Sequence, residues 1–146
     1  MPKRFTINRT DRKIYEKLRK SKGPLKGSHN PDLFVLAMTM GFFYAKKGKK
    51  LDSHDPFIHD YNLSKEQRAI VDAVAVYKKD SLEVLIDEDE VITIAEEYAT
   101  AGLPVLEKMV YNNEPKFVKF IETALVDYFE KEKLDLILPE NIVDGT

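Results

Sequence analysis

A chain of 146 residues holds one domain with a core of ordinary size, which excludes a multidomain machine. With 43% apolar and 33% charged residues the composition is that of a soluble globular protein, and the absence of cysteine excludes disulfides, thiolate zinc sites, iron–sulfur ligation and cysteine nucleophiles. The formal net charge of -2 hides a separation: residues 1–50 carry 14 bases and 3 acids, whereas residues 51–146 carry 9 bases and 22 acids. The opening MPKRFTINRTDRK has no apolar stretch of the signal-peptide kind, so a cytoplasmic location is expected. The longest nearly apolar run, residues 33–45, falls short of the roughly 20 residues that span a bilayer and predicts a core helix rather than a membrane segment.

Taken in chain order, the pattern predicts helices almost throughout. The first begins after Thr10 as cap, carries a thin stripe of Ile14, Tyr15 and Leu18, and ends near Lys22 ahead of Gly23-Pro24. Asn30-Pro31-Asp32 combines a capping amide, an early proline and an acid at the positive end of the macrodipole, and opens a second helix to about Lys47. Leu33, Phe34, Val35, Leu36, Ala37, Met38, Met40, Phe42 and Phe43 cover nearly every direction around its axis, so it is expected at the centre of the fold. Gly41 inside that helix costs up to about 1 kcal/mol relative to alanine and suggests a close helix crossing. Residues 51–63 read as a loop with two His-Asp dipeptides. Ser64 to Gln67 is a capping-box pattern opening a third helix, with Ile70, Ala73, Val74 and Tyr77 on its expected buried side.

Residues 81–86 (SLEVLI) lean helical, and the acids 87–90 begin a fourth helix with Val91, Ile94, Ala95 and Tyr98 as its apolar face and Gly102 as its end. Residues 103–111 restart around Pro104. A last helix opens at Glu114-Pro115 and carries Phe117, Phe120, Ile121, Ala124, Leu125, Tyr128 and Phe129 in an i, i+3, i+4 stripe. The pattern fades after Lys133. The expected fold is all-α: a compact bundle of five to seven helices around the central apolar helix at about residues 31–47, one domain over residues 1–132, and a partly disordered tail at 133–146.

No motif demands catalysis. The glycines and lysines at 41–50 have the wrong spacing for a phosphate-binding loop and end in Lys-Lys. Asp52, His54, His59 and Asp60 offer imidazole and carboxylate ligands for a divalent ion, which keeps open a small metal-dependent nuclease or phosphohydrolase as an alternative. Their spacing fits no familiar metal framework, and a polar loop with turn-forming Asp and Ser is the better explanation, so no metal, cofactor or catalytic residue is expected. The acids 87–90 lack the glycine and terminal glutamate of a calcium loop. Glu96, Glu97 and Tyr98 supply acid and base groups with no second carboxylate cluster set opposite them, and no strained nucleophile elbow is present.

The basic front of the chain is the more specific feature. Arg4, Arg9, Arg12, Lys13, Lys17, Arg19 and Lys20, with Lys46, Lys47, Lys49 and Lys50 at the end of the central helix, are candidates for contact with DNA or with an acidic protein surface. Three other readings stay open: a solvated charged face, cancellation against the molecule's own acids, and head-to-tail assembly of copies into a homo-oligomer. The lysines at 46–50 also complement a helix C-terminus, at roughly 0.3 to 1 kcal/mol each.

The pattern Asp32-Leu33-Phe34, Ala37 and Gly41-Phe42, followed by Glu97-Tyr98-Ala99 and Gly102-Leu103, resembles a small accessory family associated with bacterial and archaeal DNA phosphorothioation (dnd) gene clusters. The resemblance covers about residues 10–110. It implies a non-enzymatic accessory or interaction protein of a DNA-modification or antiviral defence system, contacting other subunits of such a complex or DNA. It transfers no catalytic residue, and with no cysteine the chain resembles neither the desulfurase nor the iron–sulfur protein of those systems.

Overall fold

Alternating side chains open the fold. In the computed structural model, which describes residues 3–20, 25–112 and 126, Arg4–Ile7 form strand β1, with Phe5 and Ile7 buried and Arg4 and Thr6 on its other side. A 3-10 turn at Arg9–Asp11 leads into α1 (Arg12–Lys20). Then come α2 (Asn30–Met40), continued as a π-helical turn at Gly41–Ala45, and β2 (Asp55–His59). A 3-10 turn at Asp60–Asn62, α3 (Lys65–Lys79), a further 3-10 turn at Leu82–Ile86 and α4 (Glu88–Asn112) complete the order. These elements belong to the unit Met1–Asn112. The expected end of the first helix at 21–24, the helix opening at Glu114-Pro115 and the tail lie outside the described residues.

The protein is mostly helical, as the periodicity predicts, with a two-stranded sheet the pattern did not reveal. β1 and β2 are antiparallel, Arg4 opposite His59 and Ile7 opposite Asp55, with a bulge between Phe5 and Thr6. Thus part of the expected loop at 51–63 is strand. Its own sequence, DPFIH, has a proline and one buried residue, Ile58, so its strand character comes from its partners. Phe57 lies against Tyr15 at 4.6 Å, and Phe5 meets Phe34 of α2 edge-on at 5.3 Å.

α2 is the enclosed helix its composition predicts: Leu33, Phe34, Ala37 and Met38 are fully buried. It crosses α4 so closely that a Cβ on Gly41 would collide with the Tyr98 carbonyl, and one on Gly102 with the Ala37 carbonyl. Gly102 therefore does not end the fourth helix. It serves the crossing, and α4 runs on through it and through Pro104 to Asn112. Pro104 removes one intrahelical N–H, but it faces solvent, and Leu103, Leu106 and Val110 keep the helix buried on the other side.

α3 is rotated by about one residue from the expected face. Val71, Val74 and Ala75 are buried, whereas Ile70, Ala73 and Tyr77 are exposed, because the first three form the stripe that meets its neighbours. Its start follows the predicted capping box: Ser64 Oγ accepts from the Gln67 N–H at 3.1 Å, and Gln67 Oε1 from the Ser64 N–H at 2.9 Å. The cap also ties helices together, since Gln67 Nε2 donates to Asp32 at the start of α2. Asn30 is already helical and His29 is the N-cap of α2, while Thr10 sits in the 3-10 turn rather than capping α1. Among the described residues no helix is long and apolar enough to cross a membrane.

Candidate functional site

Three consecutive residues of α4 gather the segments that carry the basic side chains. Glu96, 5% exposed, accepts the backbone N–H of Thr6 at 2.6 Å and the Thr6 hydroxyl at 2.5 Å on the same carboxylate oxygen. The Thr6 hydroxyl also shares a hydrogen bond with His54 Nδ1 at 2.9 Å. Burial pushes the Glu96 carboxyl above its ordinary range, with the two Thr6 hydrogen bonds and His54 pulling the other way. The carboxylate thus anchors β1 to α4, satisfying an edge-strand N–H that the ladder leaves open.

Next to it, the Glu97 carbonyl accepts the Lys49 N–H at 2.9 Å, and a Cβ on Gly48 would press on the Glu97 side chain. The lysine loop therefore lies flat on α4. Tyr98 closes the group: its backbone meets Gly41, and its ring meets Phe42 edge-on at 5.7 Å.

Asn8 secures the same loop from the front. Its buried Oδ1 accepts from the N–H groups of Asp52 and Ser53 at 2.7 and 3.0 Å, and Ser53 Oγ accepts from the Arg9 N–H at 2.9 Å. Asp11 lies close enough to Lys49 for the lysine to counter the upward effect of burial on its carboxyl, with Asp52 adding to that upward effect. Two basic segments some forty residues apart are so brought side by side, the turn at Arg9–Asp11 against the loop at 46–53.

The expected contact residues do not share one environment. Arg9, Lys13, Lys17, Lys20, Lys46, Lys47, Lys49 and Lys50 are exposed. Lys13, Lys17 and Lys20 recur on one face of α1, with the Lys17 ammonium 4.6 Å from the centre of the Tyr111 ring. Lys46 ends the π-helical turn in the left-handed region at φ 57°. Arg4 is exposed on β1 opposite His59. Arg19 is half-buried, its Nε without a partner among the described residues.

Arg12 is engaged within the molecule: Nε donates to Asp55 at 2.7 Å, a second nitrogen donates to the Pro56 carbonyl, and the guanidinium stands over Phe57 at 5.6 Å. Lys3 likewise meets Asp89 at 3.0 Å, and this hydrogen bond, with the charges of the acids 87–89, holds its ammonium above the ordinary range. Cancellation of opposite charges is thus realised at these two positions.

The histidine loop is not gathered into a metal site. His54 precedes β2 and His59 ends it, about 16 Å apart at roughly 3.3 Å per residue. His54 is bound to Thr6, and His59 stacks on Tyr61 at 4.7 Å. Among the described residues no group of three or more His, Asp or Glu side chains converges as metal ligands would. The extended backbone of β2 is the physical reason.

Thr6, Asn8 and the anchoring role of Glu96 escaped the sequence reading. The alternation Arg4-Phe5-Thr6-Ile7 was the available signal for the strand; no spacing announces that residue 96 meets residue 6.

Fold and surface together define a small, mostly helical protein in which two base-bearing chain segments meet at a buried acid-centred junction. The chain belongs to the family of DNA sulphur modification system-associated protein 4, whose family model matches residues 4–136. No curated protein and no solved structure matches it. The pattern that carries the resemblance maps onto this junction: Ala37, Gly41, Tyr98 and Gly102 make the α2–α4 crossing, and Glu97 supports the lysine loop.

Proposed function

We propose that this protein is an accessory component of a DNA sulphur modification system that holds the DNA backbone electrostatically, without chemistry of its own. The observation that carries this reading is the junction of the Arg9–Asp11 turn with the loop at 46–53, which holds the chain leading into α1 against the loop that carries Lys46, Lys47, Lys49 and Lys50. Lys13 to Lys20 extend about 10 Å along α1, comparable with the rise over three phosphates of one strand. Such a face contacts phosphates and positions a duplex without reading bases, and α2 is too enclosed to enter a groove.

The test is fluorescence anisotropy of a labelled duplex titrated with the full chain from low to physiological salt. Affinity that falls steeply with salt supports the reading, and replacing Lys46, Lys47, Lys49 and Lys50 by Gln reduces both affinity and salt slope. Affinity that ignores salt, or that ignores this replacement, overturns it.

A further inference from the structure

We propose that the turn between α3 and α4 is a docking surface for a segment of another protein that presents apolar side chains flanked by lysine or arginine. Residues 80–90 hold six acids and no base. Within them, Leu82 is 73% exposed and Ile86 87% exposed, with Leu85 also outside the core, while Val84 alone turns inward. Single exposed apolar residues are ordinary on a protein surface; three on one five-residue turn among acids are not. In a 3-10 helix the residues i and i+3 eclipse, so Leu82 and Leu85 share a side.

The turn is preformed. Ser81 Oγ accepts from the Glu83 N–H at 3.1 Å, the Asp87 N–H donates to the Val84 carbonyl at 3.0 Å, and Asp87 Oδ1 accepts from the Glu90 N–H at 3.2 Å. A partner meeting such a ridge loses little ordering entropy on its account.

Charge names the occupant. Ile86 lines a shallow depression with Lys3, Asp87, Glu88 and Asp89, and there the chain's own Lys3 pairs with Asp89. Lys79 pairs in the same way with Glu90 on the flank of α3. Among the described residues the ion pairs engage only those two of the six acids. The rim therefore already accepts ammonium groups at its edge and keeps carboxylates for more, while it repels phosphate and the anionic surface of a lipid leaflet. A basic amphipathic segment satisfies both the apolar ridge and the rim. This surface shares no residue with the lysine face, so the two readings fail independently.

The experiment titrates the full chain with a labelled synthetic helix of about 18 residues bearing leucine on one face and lysine on the other, with light scattering on the protein alone. Saturable binding is expected. The double change Leu82→Ser and Ile86→Ser weakens it by about ten-fold or more with an unchanged Tm, and Glu83→Gln with Glu88→Gln weakens it and flattens its salt dependence. Duplex binding stays as in the parent in both variants. Absent binding, or binding equal in parent and Leu82/Ile86 variant, overturns the proposal. A marked fall in Tm of that variant overturns it as well, by showing the two side chains packed within the molecule. So does a dimer that the variant dissolves, which would make a second copy the occupant.

Discussion

Gly41 and Gly102 face each other across the α2–α4 crossing with no room for a side chain on either: a Cβ on Gly102 would strike the Gly41 backbone nitrogen as well as the Ala37 carbonyl. The obstructing atoms are backbone on both sides, so no side chain can swing away to relieve the contact.

Gly102→Ala consequently costs about 3 kcal/mol or more, at the upper end of overpacking penalties, despite the better helix propensity of alanine. Urea denaturation followed by circular dichroism measures it; a midpoint equal to the parent's would show that the helices do not touch as described.

Glu96 contributes a pH dependence whose sign follows from its raised carboxyl. The folded state binds this proton more tightly than the unfolded chain, so stability falls as pH rises from the ordinary value of 4.5 through the raised value, and levels off above it. Glu96→Gln keeps an acceptor for both Thr6 donors and removes that slope, leaving a protein at least as stable at neutral pH. Glu96→Ala strands the Thr6 N–H and costs about 1–3 kcal/mol. Thermal melts from pH 4 to 8 compare the three; an unchanged pH profile in the Gln variant would contradict this account.

Arg12 braces α1 against β2. Arg12→Lys gives up the planar donor set shared by Asp55 and the Pro56 carbonyl and the stacking on Phe57, lowering stability by about 1 kcal/mol for a partly exposed pair. The salt slope of duplex binding stays that of the parent. A slope reduced by about one unit would instead assign Arg12 to the phosphates.

Asn8→Ala removes the acceptor of two loop N–H groups and costs about 1–3 kcal/mol. Because the same contact seats the lysine loop, duplex affinity falls although no base is lost. Amide exchange at Asp52 and Ser53 should quicken in parallel, and protection equal to the parent's would disprove the seating.

Elements whose signals are local were legible along the chain. Residues 33–40 are apolar in nearly every direction and pointed to an enclosed helix; Ser64 with Gln67 announced the start of α3; the cluster of bases was visible as composition; and Gly41 in an apolar helix already suggested a crossing. Features that depend on contact between distant segments emerged with the folded chain. Gly102 carries the same chemistry whether it ends a helix or admits a neighbour, and the backbone of α2 resolves that choice. β2 has little strand character until Phe5 and Tyr15 cover it. Arg12 and Arg9 look alike in sequence, yet Asp55 takes one inward and leaves the other on the surface. Periodicity and capping act within a few residues along the chain, whereas the junction at Glu96 joins residues ninety apart, and packing alone selects that pairing.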